Sequence, residues 1–140
     1  MQKLWRQRGF TLIELLVVIS IISILIAMGT VSFTTAQRNG RDSKRQADMK
    51  STQNAFEQYF SQNSAYPTNC NAGSSEIASV MPNGRPSGPR PSEEYTWQTC
   101  TATAYCVCAS LEKTGTGNSA ALNCSDLTAS GDYYCISNLQ

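Results

Sequence analysis

The sequence predicts an α+β protein: a long N-terminal α-helix, apolar in its first half and amphipathic in its second, packed on a small antiparallel β-sheet stapled by disulfides. Three observations predict it. Phe10 to Phe33 is an apolar run with Glu14 as its only charge. From Thr34 to about Gln62 there is no proline, and apolar residues recur at helical spacing. Beyond residue 92 the pattern changes to alternation, and all six cysteines lie between Cys70 and Cys135.

The first element is the apolar run. As a helix its 24 residues would span roughly 36 Å, enough to cross a bilayer. A chain of 140 residues leaves too little protein to enclose such a segment on all sides. The leader Met1–Arg8, with Lys3, Arg6 and Arg8, suits a signal peptide. The run exceeds a typical signal core, however, and no A-x-A-like site follows it, so it is expected to stay attached as an anchor. Charge alone does not orient the anchor, because Arg38, Arg41, Lys44, Arg45 and Lys50 follow it. The cysteines do: a disulfide framework needs an oxidising compartment, which places the C-terminal part outside and the leader in the cytoplasm.

The second element continues the first. Met49, Thr52, Phe56 and Tyr59 repeat at helical spacing, and Ala55 and Phe60 widen the stripe. A single helix from Phe10 to about Gln62 would be roughly 80 Å long. Its amphipathic half needs a packing partner, and only the C-terminal half can supply one. Asn63–Pro67 ends the helix, with Tyr66 driven extended by Pro67. Residues 63–92 form a connecting loop punctuated by Pro67, Pro82, Pro86, Pro89 and Pro91, with a short helical turn at Ser75–Met81 capped by Ser74.

Three strands follow within 93–140. Tyr95, Trp97 and Thr99 alternate in the first, Tyr105, Val107, Ala109 and Leu111 in the second, and Tyr134 and Ile136 in the third. This alternation puts Cys100, Cys106, Cys108 and Cys135 on the outer face of the sheet, where loop residues Cys70 and Cys124 can fold over them. A Cys106–Cys108 bridge is not expected, because residues two apart on a strand have Cα atoms about 7 Å apart. A metal site on Cys106-x-Cys108 is the alternative use of these thiols, and it requires a reducing setting.

Several classes of function are excluded. With no histidine there is no Ser-His-Asp or Cys-His catalysis and no His-ligated zinc. No nucleophile has a base beside it and no glycine loop reads as phosphate-binding, so neither an enzyme nor a cofactor is expected. Residues 1–50 carry eight bases against three acids, and residues 51–140 three against seven, so the two ends face different surroundings.

The N-terminus resembles a known family. Arg8-Gly9-Phe10-Thr11-Leu12-Ile13-Glu14-Leu15-Leu16 is similar to the processing site of type IV pilins and type II secretion pseudopilins, and the likeness continues through Asp42–Pro67. The resemblance implies a pilin-like fold, with residues 1–9 as a cleaved leader and 10–33 as the transmembrane and assembly helix. It implies that a prepilin peptidase cuts between Gly9 and Phe10 and that the new Phe10 amine is methylated. Glu14 would neutralise that amine, in its own chain or in a neighbour. It further implies identical or related subunits in a helical filament, pilus assembly machinery, a cell-surface location, and a Cys124–Cys135 bridge closing a C-terminal loop. Two departures stand out. Val31 occupies the place of a frequent helix-kinking proline, which leaves Gly29 as the local weak point, and the aspartate-proline-tryptophan-glycine stretch of the major pseudopilin is missing.

The alternatives are a secretion pseudopilin and a single-pass anchored, disulfide-rich ligand-binding module. Arg38, Arg41 and Arg45 share a helix face and could meet phosphate of lipid or nucleic acid, or simply pair with Asp42 and Asp48. Asn118, Asn123, Asp126 and Asp132 could offer oxygens to calcium, although their spacing matches no fixed loop and an ordinary polar loop is the simpler reading.

Overall fold

The computed structural model describes residues 9–128 and 130–140, so most of the leader lies outside the described residues. The elements run α1 (Leu12–Asn63), α2 (Ser75–Val80), β1 (Thr96–Cys100), β2 (Tyr105–Ser110) and β3 (Tyr133–Ser137). The three strands form one antiparallel sheet in the order β1-β2-β3. This is the α+β, pilin-like architecture that the sequence predicts. The chain divides into two compact units at Gln37/Arg38.

In the first unit every residue of α1 is exposed. The helix runs unbroken through Gly29 and Val31. The hydroxyls of Ser20, Ser23, Thr30 and Thr34 donate to carbonyls three or four residues back, so they do not compete with the helix for its amide hydrogens.

In the second unit α1 buries Asp42, Arg45, Met49, Thr52 and Phe56, a stripe at alternating spacings of three and four. Phe60 packs against the core at its end, whereas Tyr59 is only partly buried and is not a member of the cluster. Ser64, with φ 56°, turns the chain out of the helix, and its amide donates to the Phe60 carbonyl at 2.8 Å. Tyr66 then enters the core, with its amide on the Ala102 carbonyl at 2.9 Å. Ser74 caps α2 by accepting from the Ile77 amide at 3.2 Å.

The core joins Met49 and Phe56 of α1 to Tyr105, Val107, Ala109 and Ile136 of the sheet, with Tyr66, Ile77, Met81 and Tyr95 from the connecting segment. The Phe56 ring lies 4.7 Å from Tyr105 and 5.8 Å from Trp97, within the range of favourable aromatic pairs.

The structure corrects the expected cysteine layout. Val107 lies opposite Trp97 and Ile136, whereas Cys108 lies opposite Thr96 and Cys135, so the two sheet faces alternate as expected along β2. The pairing of β1 then slips between Trp97 and Thr99. A one-residue bulge flips everything beyond it. Thr99 therefore joins the outer face, and Cys100, opposite Tyr105, turns to the core face. There it bonds Cys70, whose expected place above the outer face is not the one observed. On the outer face the bridges are Cys106–Cys124 and Cys108–Cys135, which corrects the expected Cys124–Cys135 pair. Cys135 sits directly across from Cys108, with Cα atoms 4.1 Å apart, and this leaves Cys124 to Cys106.

The loop between β2 and β3 covers this face with Leu122 and Leu127. Its close approach depends on Gly117 and Gly131, where a Cβ would collide with the Tyr133 and Ser119 carbonyls respectively. The Asn118 side chain bonds both the amide and the carbonyl of Cys135, at 2.7 and 2.8 Å, standing in for a further strand.

Candidate functional site: the N-terminal segment

Gly9 and Phe10 precede the first helical residue and are exposed, Phe10 at 81%. No described residue lies within 4 Å of where a Cβ on Gly9 would stand. Thr11 is the helix cap. Its hydroxyl accepts from the Glu14 amide at 3.2 Å. The Glu14 carboxylate returns to the Thr11 amide at 2.9 Å and the Thr11 hydroxyl at 2.8 Å. This is a capping box: T-x-x-E satisfies reciprocally the amide donors that a helix start leaves open. The reading of Glu14 as a counter-charge alone overlooked this role, although T-L-I-E carries the signal plainly. Both Thr11 donors converge on Oε2, and no described residue donates to Oε1.

From Leu12 to Phe33 most side chains are apolar, and they are exposed around the whole helix, among them Leu12, Ile13, Leu16, Ile19, Ile22 and Leu25. The helix is long and apolar enough to cross a membrane. Soluble monomers rarely expose apolar surface on this scale, so the segment calls for lipid or like helices around it.

The basic residues beyond this segment are placed differently from a phosphate-binding stripe. Arg45 is buried, with Nε and Nη2 on the Glu93 carboxylate at 2.6 and 2.9 Å, and Nη1 on Asp42 at 2.6 Å and Glu112 at 3.1 Å. Arg41 holds Glu112 in a fork at 2.6 and 2.7 Å, and Arg90 reaches the same carboxylate. Two of the three arginines proposed for phosphate are therefore spent on internal carboxylates.

The Arg41 hydrogen bonds hold the Glu112 carboxyl down at about 2, with Arg45 and Arg90 adding to the effect. Arg45 likewise keeps Glu93 below the usual carboxylate range. The Asp42 carboxylate accepts the amides of Glu112 and Lys113, both at 2.9 Å, fixing the chain as it leaves β2. Sequence reading offered Asp42 as a partner for these arginines, and Arg45 does pair with it, but it missed Glu93, Glu112 and the burial of the cluster; Asp42 and Arg45 fall on the same stripe as Met49, Thr52 and Phe56, and charges on a core stripe are the signal of a buried ion pair.

The oxygens considered for calcium serve separate turns. Asp132 accepts the Gly115 amide, Asn118 braces Cys135, Asn123 binds Ser125, and Asp126 binds Thr128. All six cysteines are in bridges, which leaves no thiolate for metal in this oxidised chain.

A capping box thus opens an exposed apolar helix, and a disulfide-stapled α+β unit follows it in the chain. Residues 6–30 match the family described as the prokaryotic N-terminal methylation motif. The chain is similar to the type IV major pilin protein PilA of Myxococcus xanthus, 38% identical over 61 residues that cover 44% of this chain and 28% of the relative. It is similar also to the type II secretion system core protein G of Vibrio cholerae, 34% identical over 68 residues covering 49% of this chain and 47% of the relative. The chain thus spans less than half the length of these curated relatives.

Proposed function

We propose that this protein is a structural subunit of a type IV pilus-like filament. It is inserted in the membrane as a precursor with its N-terminus in the cytoplasm. A prepilin peptidase cuts it after Gly9, the Phe10 amine is methylated, and assembly with identical or related subunits proceeds through residues 10–33. The observation that carries this reading is the methylation motif running directly into a helix whose apolar side chains are exposed on every side. Glu14 then has two compatible tasks, because Oε2 caps the helix while Oε1, to which no described residue donates, is able to neutralise the cationic Phe10 amine of a neighbour. Lateral packing between apolar helices is non-directional, and one such ion pair per subunit would set the axial register.

The test is processing. Mass spectrometry of the mature chain should find Phe10 first and methylated, and Gly9→Val should leave the leader attached, with unassembled precursor in the membrane. A mature chain beginning at Met1, or beyond residue 33, refutes the proposal. The likeness to protein G supports a second reading, a pseudopilin of a secretion system. Purified surface filaments built of this chain favour the pilin, and their absence from a secreting cell favours the pseudopilin.

A further inference from the structure

Arg85 is paired differently from the arginines around it. Arg41, Arg45 and Arg90 each hold a carboxylate, whereas among the described residues no carboxylate lies at ion-pair distance from Arg85. Its half-buried guanidinium lies over the Trp97 ring, 4.3 Å from the centroid, and Nη1 donates to the Cys70 carbonyl at 3.0 Å. Nε and Nη2 donate to no described residue. Burial pulls this cation below its ordinary pKa, opposed only by the Glu94 carboxylate. The indole N–H of the same Trp97 is buried and likewise finds no acceptor among the described residues. Buried donors without acceptors are uncommon in a folded chain, and here two of them line one cleft. We infer that this cleft binds a carboxylated sugar residue, with the Arg85 guanidinium on the carboxylate and the surrounding amides and hydroxyls on the ring.

The cleft holds about 450 Å³ and lies between the loop carrying Asn69 and Asn71 and the exposed Gln98 and Thr99 of the edge strand β1. That volume falls among small-molecule sites and accommodates a single sugar ring. The Cys70–Cys100 bridge joins the two walls, so little ordering is left for the ligand to impose. The side chains of Asn71, Gln98 and Thr99 bond no described residue, and Asn69 Oδ1 accepts the Asn71 amide at 3.0 Å, which leaves its NH₂ free. Carboxamides and hydroxyls both donate and accept, as the hydroxyls of a sugar do.

Charge selects the acid. Arg85 is the one cation in the lining and no acid accompanies it, so the cleft balances a single negative charge rather than the double charge of a phosphate. The planar fork of its free Nε and Nη2 matches the two oxygens of a carboxylate. A neutral sugar would leave that fork unpaired. It would also find no open indole to stack on, because Arg85 covers the ring and Phe56 stands 5.8 Å from it. The site lies wholly within the second unit and does not depend on filament assembly.

The experiment titrates the full chain, isotope-labelled and held in detergent, with sodium glucuronate, glucose or inorganic phosphate. Ionic strength is kept constant at about pH 6, where carboxylates are ionised. Glucuronate should shift the Arg85 Nε–H and Trp97 Nε1–H resonances along one saturating curve. Glucose should bind at least about tenfold more weakly, and phosphate more weakly than glucuronate. Arg85→Lys keeps the charge but loses the fork, and should weaken glucuronate binding at least about tenfold. Asn71→Ala and Gln98→Ala alter exposed side chains that bond nothing in the fold, and each should weaken it about threefold. Glu94→Gln removes the carboxylate that acts on Arg85 and should strengthen binding, more so at low salt. Equal affinity for glucose, tighter binding of phosphate, no shift at Arg85 up to about 50 mM glucuronate, or unchanged affinity in both Asn71→Ala and Gln98→Ala overturns the inference.

Discussion

Replacing Arg45 by methionine should turn the pH dependence of stability around. The Arg45 side chain is only 3% exposed and donates to three carboxylates: Asp42 and Glu93 at 2.6 Å and Glu112 at 3.1 Å. Methionine keeps much of the volume but supplies no donor. Removing one partner of a buried ion pair costs about 3–5 kcal/mol, because the remaining charge stays buried and uncompensated. For a unit of roughly 100 residues, at about 4–8 °C per kcal/mol, Tm at neutral pH should fall by more than about 10 °C.

The sign of the pH effect follows from the carboxylates. In the native chain Glu93 and Glu112 titrate below their ordinary value, Glu112 at about 2. Their stabilisation is therefore complete above the unfolded pKa and is lost as pH falls from about 5 toward 2. In R45M, Glu93 loses its main counter-charge and its pKa rises. Protonation then relieves the buried charge, so the variant should gain stability as pH falls from 7 toward 5. Near-UV circular dichroism melts of the full chain in detergent, from pH 4 to 8, measure both effects. A variant as stable as the native chain, with the same slope against pH, would refute the reasoning.

Two further outcomes concern the core. Phe56→Ala removes a fully buried ring lying between Tyr105 and Trp97, and should cost about 3–5 kcal/mol, read as a shifted tryptophan-fluorescence melt with α1 still helical. Replacing Cys70 and Cys100 together by serine opens a bridge spanning 30 residues and should cost about 2–4 kcal/mol, while thiol mapping still finds Cys106–Cys124 and Cys108–Cys135 closed.

What was legible in the sequence is what periodicity carries. The amphipathic half of the helix and all three strands follow from spacing, because in each the side chains repeat with the period of their backbone, while the Ser74 cap follows from a hydroxyl placed just before a helical turn. The bridges were not legible, and one residue explains most of the failure. Strict alternation in β1 puts Cys100 outside, but the slip after Trp97 turns it inward. A bulge in a polar, exposed stretch such as Gln98–Thr99 leaves no trace in a hydrophobic pattern. The Arg45 cluster was obscured for another reason. Its partners Glu93 and Glu112 lie 48 and 67 residues away in loops, and nothing local couples them to the helix. At the N-terminus the motif disclosed Gly9, Phe10 and Glu14 as a set, yet attention to the charge hid the cap.

That double role makes Glu14 the residue on which cap and charge can be separated. Glu14→Gln keeps an oxygen that can accept from the Thr11 amide and hydroxyl, so the helix start survives while the charge is lost. Glu14→Ala loses both. Neither change should hinder insertion, because each removes a carboxylate from the edge of an apolar span. If the carboxylate neutralises a neighbour's Phe10 amine, both variants should be cleaved after Gly9 and remain in the membrane as unassembled mature chains. If only the cap matters, Glu14→Gln should assemble and Glu14→Ala should not. The readouts are filament yield by shearing and electron microscopy, with the membrane pool of cleaved subunit measured alongside. Native filament yield from Glu14→Gln cells would remove the charge from the assembly mechanism and leave Glu14 as a helix cap. Failure of both variants with normal cleavage would assign it the register-setting ion pair, since the cap alone cannot distinguish glutamine from glutamate.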